Sequence, residues 1–329
     1  MDGMSIGPRE LSDSCVTETV MPRPDAPDAM WQHTLRRPIS SIGTGLHTGR
    51  RIALSLAPAP VDTGIIFRRT DLDGRIIPAV YDHVVDTRLS TVIGDAAPSS
   101  PLRVATIEHL MSALCGCGID NAYIDLDGPE VPVFDGSASE FMFLLDCAGR
   151  ERQAAARPTL EILRTVRVED GDAFAELSPP TTDGLTISMS IEFAAPAIGR
   201  QIFSARVCAA SFRRDLENCR TFTLRHEIDA LHAAGLARGG SLENAIVVDG
   251  DRILNPTGLR RPDEFVRHKV VDVIGDLYLS GAMIHGDFHG HKSGHTLNNR
   301  LLRALMADTT AWRLHGAPLH KGQIGRVAA

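Results

Sequence analysis

The sequence predicts an α+β fold in which strands and helices are mixed within each half of the chain. Segments with a period of two and segments with helical spacing occur in both halves. They do not follow the regular strand-helix-strand alternation of a doubly wound sheet. The length of 329 residues, with 43% hydrophobic residues, allows a substantial core and favours two domains over one.

We place the first α+β domain at residues 31–155 and the second at 156–310, joined by a connection at 153–158. Residues 1–30 are rich in acidic residues and proline and lack the basic start and apolar stretch of a signal peptide. We therefore expect a disordered N-terminal extension there, and we assign residues 311–329 to a C-terminal tail. The sequence has no apolar run of about 18 residues, which argues against a membrane-spanning helix.

The individual elements follow from hydrophobic periodicity and from glycine and proline positions. The first half is predicted to contain strands at 51–56, 65–69, 87–92 and 121–126, and helices at 107–114 and 139–148. Thr106 is available as the N-cap of the first helix. The second half is predicted to contain strands between 160 and 192 and at 245–248, a glycine turn at 239–240, and helices at 226–234, 264–279 and 297–306.

The long predicted helix at 264–279 carries three polar residues at intervals of four. His268, Asp272 and Asp276 therefore lie on one helical face, within a helix whose other positions are largely apolar. A histidine and an aspartate one turn apart can ligate one zinc ion, which needs a third protein ligand and an open position for water in a hydrolase. A solvated helix face with a weak His-Asp pair is the competing interpretation.

A third ligand is available at the start of the first predicted helix, where Glu108 precedes His109. This pair offers a metal ligand beside a carboxylate that can accept a proton from water. The dipeptide alone is also compatible with an exposed helix start, where a glutamate complements the helix dipole.

Four histidines crowd into segment 284–295, namely His285, His289, His291 and His295. The segment is interpreted either as an independent metal site or as a polar loop before the helix at 297–306. We favour a separate role for His295 at its end, where a protonated imidazole could donate to a leaving amine while Asp276 keeps it charged.

Charge and cysteine content narrow the class of protein. The formal net charge is −7 and the pI is about 6.0, which argues against a nucleic-acid partner and against a polybasic membrane surface. An anionic ligand must then meet a local cluster of positive charge. The six cysteines form no regular framework, so we expect reduced thiols and a cytoplasmic protein.

Several separated segments, taken together and in order, resemble the bacterial UDP-3-O-acyl-N-acetylglucosamine deacetylases of lipid A biosynthesis. They are Gly43-Thr-Gly-Leu-His-Thr-Gly49, Ile107-Glu-His-Leu110, Gly118-Ile-Asp-Asn121, Val133-Phe-Asp-Gly-Ser137, Cys219-Arg-Thr-Phe222, Gly239-Gly-Ser241, Asn244-Ala-Ile-Val-Val-Asp249, 263–278, Lys292-Ser-Gly-His295 and Leu297-Asn-Asn299. Each segment is weak alone, but the ordered set is specific and spans roughly residues 31 to 310.

The resemblance implies two similar domains, each a two-layer sandwich of helices on a sheet, with the active site in the cleft between them. It also implies a metal and catalytic set: zinc ligands His109, His268 and Asp272, base Glu108, acid His295 supported by Asp276, oxyanion-stabilising Thr221, and Lys269 near the charged part of the substrate. A site of two histidines and one aspartate also accepts Fe2+. We expect a monomer.

The implied substrate is a UDP-linked acylated amino sugar, whose acetamide would be hydrolysed to release acetate. Cations for its diphosphate are available at Arg260, Arg261, Arg267 and Lys269. For the three arginines, an exposed basic helix start is the competing interpretation. The implied acyl-chain passage includes Phe222, Leu224, Ile228, Ala237, Leu242 and Val247. Departures from the family pattern occur at Thr223, Arg225 and Arg238, and they leave the preferred chain length open.

Two other functions remain possible on the sequence. One is a non-catalytic relative that binds nucleotide-sugar precursors or a regulatory partner. The presence of both a candidate base and a candidate acid argues against it, because a binding module needs neither. The other is a zinc hydrolase acting on a different acylated amino sugar.

Overall fold

The structure is a computed structural model that describes residues 21–23, 26–97 and 99–316. Most of the predicted N-terminal extension, at 1–20 and 24–25, lies outside the described residues, as does the predicted tail from 317 onward. Within the described part, no helix is both long and apolar enough to cross a membrane.

The first half contains ten strands and two α-helices among the described residues. In chain order they are β1 Trp31–Leu35, β2 Ile39–Thr44, β3 Arg51–Pro58, β4 Ile65–Arg69, β5 Arg75–Pro78, β6 Val84–Asp86, β7 Val92–Gly94, β8 Arg103–Val104, α1 Glu108–Cys117, β9 Ala122–Leu126, α2 Ser139–Ala148 and β10 Arg150–Ala156. The predicted connection at 153–158 is therefore mostly strand, because β10 pairs with β1.

The second half contains ten further strands and four α-helices among the described residues. They are β11 Thr159–Ile162, β12 Val166–Asp170, β13 Ala173–Ser178, β14 Leu185–Glu192, β15 Arg200–Val207, α3 Ala209–Asp215, β16 Phe222–Leu224, α4 Arg225–Ala233, β17 Ile246–Asp249, β18 Arg252–Ile253, α5 Glu264–Tyr278, β19 Met283–His291, α6 His295–Ala307 and β20 Trp312–His315.

Each half contributes one large sheet. The five-stranded sheet has the order β2-β3-β9-β4-β5, and the alternating burial along β3 and β9 turns one face toward the core. The seven-stranded sheet has the order β12-β13-β19-β11-β20, with β14 beside β19 and β15 beside β14. The α+β prediction is confirmed. The second sheet also extends past residue 310, because β20 pairs with β11 within the segment that we had assigned to the tail.

The histidine-rich segment is not a loop. Residues 284–291 belong to β19, the strand of the second sheet that pairs with β11, β13 and β14, and His295 begins α6. Ile284 and Phe288 face the core, and so do Gly286 and Gly290, where an added Cβ would lie 2.6 Å from Ile162 and 2.8 Å from Met189. The period of two was hidden because glycines at two inward positions give no hydrophobic signal.

Two other local predictions were wrong. Segment 87–92 does not continue the large sheet. Residues 87–91 form a bend between β6 and β7, and Val92 begins β7, which pairs with β6 and β8. Thr106 does not cap α1 with its side chain. Its φ is +58° and its hydroxyl donates to Glu130, so Ile107 occupies the cap position.

Helices of the two halves pack against each other. Helix α1 packs against α2 and α5, and α5 packs against α6 and against β14 and β15 of the second sheet. Gly275 of α5 permits the closest approach, because a Cβ there would lie 2.0 Å from the backbone oxygen of Glu108. The first residues of α1 therefore lie directly against the polar face of α5.

Candidate active site

Three buried side chains from two helices converge between the halves of the molecule. His109, His268 and Asp272 have ligand atoms that all lie within 4.8 Å of one another. The Nε2 atoms of His109 and His268 are 3.5 and 3.4 Å from Oδ1 of Asp272, and the two rings are nearly perpendicular. The four-residue spacing on α5 supplies two of these groups, and the contact between α1 and α5 supplies the third.

The orientation of His268 is set by a backbone carbonyl. Its Nδ1 lies 3.0 Å from the oxygen of Cys219, which can only accept, so Nδ1 carries the proton and Nε2 offers its lone pair toward Asp272. Burial lowers the pKa of His268 to about 4, which keeps the ring neutral. A neutral imidazole with its far nitrogen hydrogen-bonded is the usual state of a metal-ligating histidine.

The carboxylate of Asp272 also contacts Lys269, whose Nζ donates to Oδ2 at 2.7 Å. Burial alone raises the pKa of Asp272, but Lys269 and His268 outweigh it and hold that pKa well below its usual value. Asp272 is therefore ionised, and two imidazole nitrogens with one carboxylate oxygen form a donor set that fits zinc. Three protein ligands leave a coordination position open.

Glu108 lies beside these groups and is almost fully buried. Its Oε2 accepts a hydrogen bond from the backbone N–H of Thr91 at 3.1 Å, and its Oε1 is 3.7 Å from Nε2 of His295. Burial raises the pKa of Glu108, against the opposing effect of His295. A carboxylate with a raised pKa is a stronger base than a solvated one, which suits proton abstraction from water.

His295 begins α6, and its Nδ1 donates to Oδ2 of Asp276 at 2.8 Å. Burial lowers the pKa of His295, but Asp276 and Glu108 more than offset this and raise it to about 9. Asp276 also accepts from the hydroxyl of Thr91 at 2.5 Å and from Nδ2 of Asn298 at 2.8 Å. The imidazole is thus held charged at neutral pH with Nε2 free to donate.

These groups open into a cavity of about 520 Å³ where the two halves meet. Its lining includes Leu46, His47, Arg88, Glu108, His109, Phe193, Thr221, Phe222, Leu224, Lys269, Lys292 and His295. The cavity therefore combines a buried group of side chains that could hold a metal ion, a candidate base and a charged imidazole with apolar walls.

Comparison with known proteins shows the family. Residues 32–307 match the family model described as UDP-3-O-acyl N-acetylglycosamine deacetylase. This chain belongs to that family. A deacetylase of that name from Phenylobacterium zucineum (strain HLK1) is 50% identical over 287 residues, which cover 87% of this chain and 96% of the relative.

Two further relatives carry the name UDP-3-O-acyl-N-acetylglucosamine deacetylase. The protein from Acidithiobacillus ferrooxidans (strain ATCC 53993 / BNL-5-31) is 51% identical over 284 residues, covering 85% of this chain and 91% of the relative. The protein from Shewanella frigidimarina (strain NCIMB 400) is 47% identical over 289 residues, covering 87% and 92%. The resemblance seen in the sequence motifs is therefore confirmed. As a member of this deacetylase family, the protein is an enzyme that hydrolyses an amide bond.

The structure brings together most of the catalytic set that the sequence predicts. Glu108, Thr221, Lys269 and His295 all line the cavity, and Asp276 lies behind His295. The predicted substrate contacts divide into two groups. Phe222 and Leu224 line the cavity, whereas Ile228, Ala237, Leu242, Val247 and Arg267 do not. Of the departures from the family pattern, Thr223 lines the cavity, and Arg225 and Arg238 do not.

The arginines expected to meet a diphosphate have protein partners instead. Arg267 forms ion pairs with Asp263 at 2.8 Å and Asp215 at 3.4 Å. Arg260 pairs with Asp135 at 2.8 Å, and Arg261 donates to a backbone carbonyl. Among the cations we had expected there, Lys269 alone lines the cavity, which also includes Lys292 and Arg88.

Several cavity and support residues were missed from the sequence. Thr91 and Asn298 hold Asp276, and His47, Phe193 and Lys292 line the cavity. His47, Lys292 and Asn298 lie within the segments that resemble the family, and the last two could have been proposed from their position near His295. Thr91 and Phe193 carried no local signal, because their roles depend on contacts with distant segments.

Proposed function

We propose that the candidate active site hydrolyses the N-acetyl group of UDP-3-O-acyl-N-acetylglucosamine, releasing acetate and UDP-3-O-acyl-glucosamine in the committed step of lipid A biosynthesis. The observation that carries the proposal is the convergence of His109, His268 and Asp272 beside Glu108 and His295 in one cavity. Membership of the deacetylase family and the names of its relatives support the same reaction.

We propose zinc as the metal, held by His109, His268 and Asp272. Zinc would supply Lewis-acid chemistry there, polarising the acetamide carbonyl and making water more acidic. The tautomer of His268 and the ionised Asp272 suit this ion. Fe2+ is the competing ion, because its ligand preferences overlap with those of zinc.

Two side chains of the protein carry out the two proton transfers, one as the base and one as the acid. Glu108 takes a proton from the attacking water, and its buried carboxylate is oriented by the N–H of Thr91. His295 gives a proton from Nε2 to the departing glucosamine nitrogen, while Asp276 holds Nδ1. Thr221 lines the same cavity, and its hydroxyl would stabilise the negative oxygen of the tetrahedral intermediate.

We assign the diphosphate of the substrate to the cationic residues that line the cavity, Lys269 and Lys292. Lys292 is held by Asp172 at 2.6 Å and Glu192 at 3.2 Å at the cavity border. The acyl chain would contact Phe222 and Leu224, which are half-buried on β16. Arg267 is dropped from this assignment because it does not line the cavity.

The test is an acetate-release assay with defined metal content. The protein is stripped with a chelator, then reconstituted with Zn2+ or Fe2+, and acetate is measured from the nucleotide substrate. We expect activity to be lost on stripping and restored by one divalent ion per chain. Bound metal without acetate release would favour a hydrolase of another acylated amino sugar, and absence of bound metal would favour the non-catalytic relative.

We also propose a monomer that acts in the cytoplasm, with domains divided near residue 155. The residues to which we assign the reaction, Glu108, His109, His268, Asp272 and His295, line one cavity of a single chain. Light scattering after size-exclusion chromatography tests the first point, and cell fractionation tests the second. A dimer in which activity depends on protein concentration would contradict the monomer.

A further inference from the structure

Glu130 is a buried carboxylate that accepts four hydrogen bonds from two separate segments. Its side chain is fully buried. Oε1 accepts from the N–H of His47 at 2.8 Å and from the hydroxyl of Thr106 at 3.1 Å. Oε2 accepts from the N–H and the hydroxyl of Thr48 at 2.9 and 2.8 Å. These donors satisfy a charge that would otherwise be costly to bury.

The first segment is residues 43–49, which we call the glycine loop. It carries Leu46 and His47 into the wall of the cavity. On its other side, the carbonyl of Leu46 accepts from the N–H of Gly239 at 2.9 Å, so the loop also bridges to the second half. The fit around the carboxylate is close, because a Cβ on Gly45 would lie 2.4 Å from Oε2 of Glu130.

The second segment is the turn into α1. Thr106 has a φ of +58°, a left-handed conformation that is unfavourable for a β-branched residue. It precedes Glu108 by two residues, so its conformation determines where α1 begins and where Glu108 and His109 point. Such a conformation persists only where surrounding contacts enforce it, and the bond to Glu130 is one such contact.

We propose that Glu130 is a positioning residue that holds the glycine loop against the turn preceding α1. It thereby fixes the position of the cavity wall formed by Leu46 and His47 relative to Glu108 and His109. This inference rests on the proposed function of the cavity. Glu130 does not line the cavity itself. Its effect passes through His47 on one side and through Thr106 on the other.

The carboxylate is required because both of its oxygens accept from a backbone N–H. In a Glu130→Gln variant of the same shape, the amide NH2 must face one of these N–H groups, and a backbone donor cannot reverse its role. One loop N–H then loses its acceptor while buried. The hydroxyls of Thr48 and Thr106 can rotate, so the loss is concentrated on the glycine loop.

The experiment compares full-length wild type, Glu130→Gln and the control Glu151→Gln, which makes the same chemical change at an exposed position. Hydrogen exchange is measured without substrate, and KM, kcat and bound zinc are measured on the zinc-loaded proteins. We expect exchange in 43–49 to accelerate roughly tenfold or more in Glu130→Gln, without a matching change elsewhere. KM should rise about tenfold, bound zinc should stay at the wild-type level, and the control should match wild type.

A second pair of variants, which changes only one donor to Glu130, tests the inference even if Glu130→Gln does not fold. Thr48→Val removes one donor to Glu130 at a residue outside the cavity lining, and Thr48→Ser restores it. The inference predicts faster loop exchange and a higher KM for valine, with rescue by serine. Unchanged loop exchange and KM in Glu130→Gln, or equal behaviour of the Thr48 pair, would overturn it. Failure of wild type to release acetate would instead overturn the proposed function, because the exchange result does not depend on activity.

Discussion

Replacing Asp276 with asparagine should lower the pH at which activity is lost on the alkaline side. The carboxylate of Asp276 accepts from Nδ1 of His295 at 2.8 Å, and both side chains are largely buried. Burial by itself lowers the pKa of His295, yet Asp276 and Glu108 together raise it to about 9. The proposed acid is therefore protonated at neutral pH because two carboxylates raise its pKa, and Asp276 has the larger effect of the two.

The magnitude follows from that value. A rise in pKa from 6.5 to about 9 corresponds to roughly 3 kcal/mol in favour of the imidazolium. Without the charge of Asp276, burial is opposed chiefly by Glu108, and the pKa of His295 should fall to near its usual value or below. At about pH 7.5 the protonated fraction would then drop from nearly all to about one-tenth, so kcat should fall roughly tenfold.

The assay is the pH profile of kcat for wild type and Asp276→Asn, with bound zinc and melting temperature measured on both. Asparagine also disturbs the hydrogen bonds from Thr91 and Asn298, and such damage would lower kcat by the same factor at every pH. Loss of the charge has a different effect. The ratio of the wild-type kcat to the Asp276→Asn kcat should increase as the pH rises from about 6 to 9. A ratio that stays constant across this range would refute the reasoning.

Four further outcomes follow from the site. Glu108→Gln should lower kcat roughly 10²- to 10⁴-fold with bound zinc unchanged, and loss of zinc would instead make Glu108 a ligand. His268→Ala should release zinc, as measured by elemental analysis after gel filtration, and retained zinc would contradict its assignment. Gly275→Ala should destabilise the protein by roughly 1–3 kcal/mol in calorimetry, because its Cβ would lie 2.0 Å from the backbone oxygen of Glu108. An unchanged melting temperature would mean that α1 and α5 are not packed closely at this position. Because the pKa of His295 is raised in the folded state, its contribution to stability should be complete below about pH 6.5 and lost as the pH rises through about 9. Urea unfolding of the metal-free protein at several pH values measures this decrease in the free energy of unfolding. The decrease should be smaller in Asp276→Asn.

The sequence alone determined the features that depend on local periodicity. The spacing of His268, Asp272 and Asp276 predicted a helix with one polar face, and α5 runs from Glu264 to Tyr278 as expected. The ordered motifs predicted the family, because each is a short segment whose residues are readable without knowledge of contacts. Periodicity misled where glycine occupied inward positions, as in β19, since a glycine is buried without being hydrophobic.

Only the tertiary structure decided which distant residues support the site. Thr91 joins Glu108 to Asp276, and Glu130 joins the glycine loop to Thr106, across separations that no local pattern encodes. It also showed that Arg267 is engaged with Asp263 and Asp215, although its place in a segment rich in cations had suggested a contact with the substrate diphosphate. The physical reason is that hydrogen bonds and ion pairs depend on distance and direction between side chains, and the packing of α1 against α5 sets these.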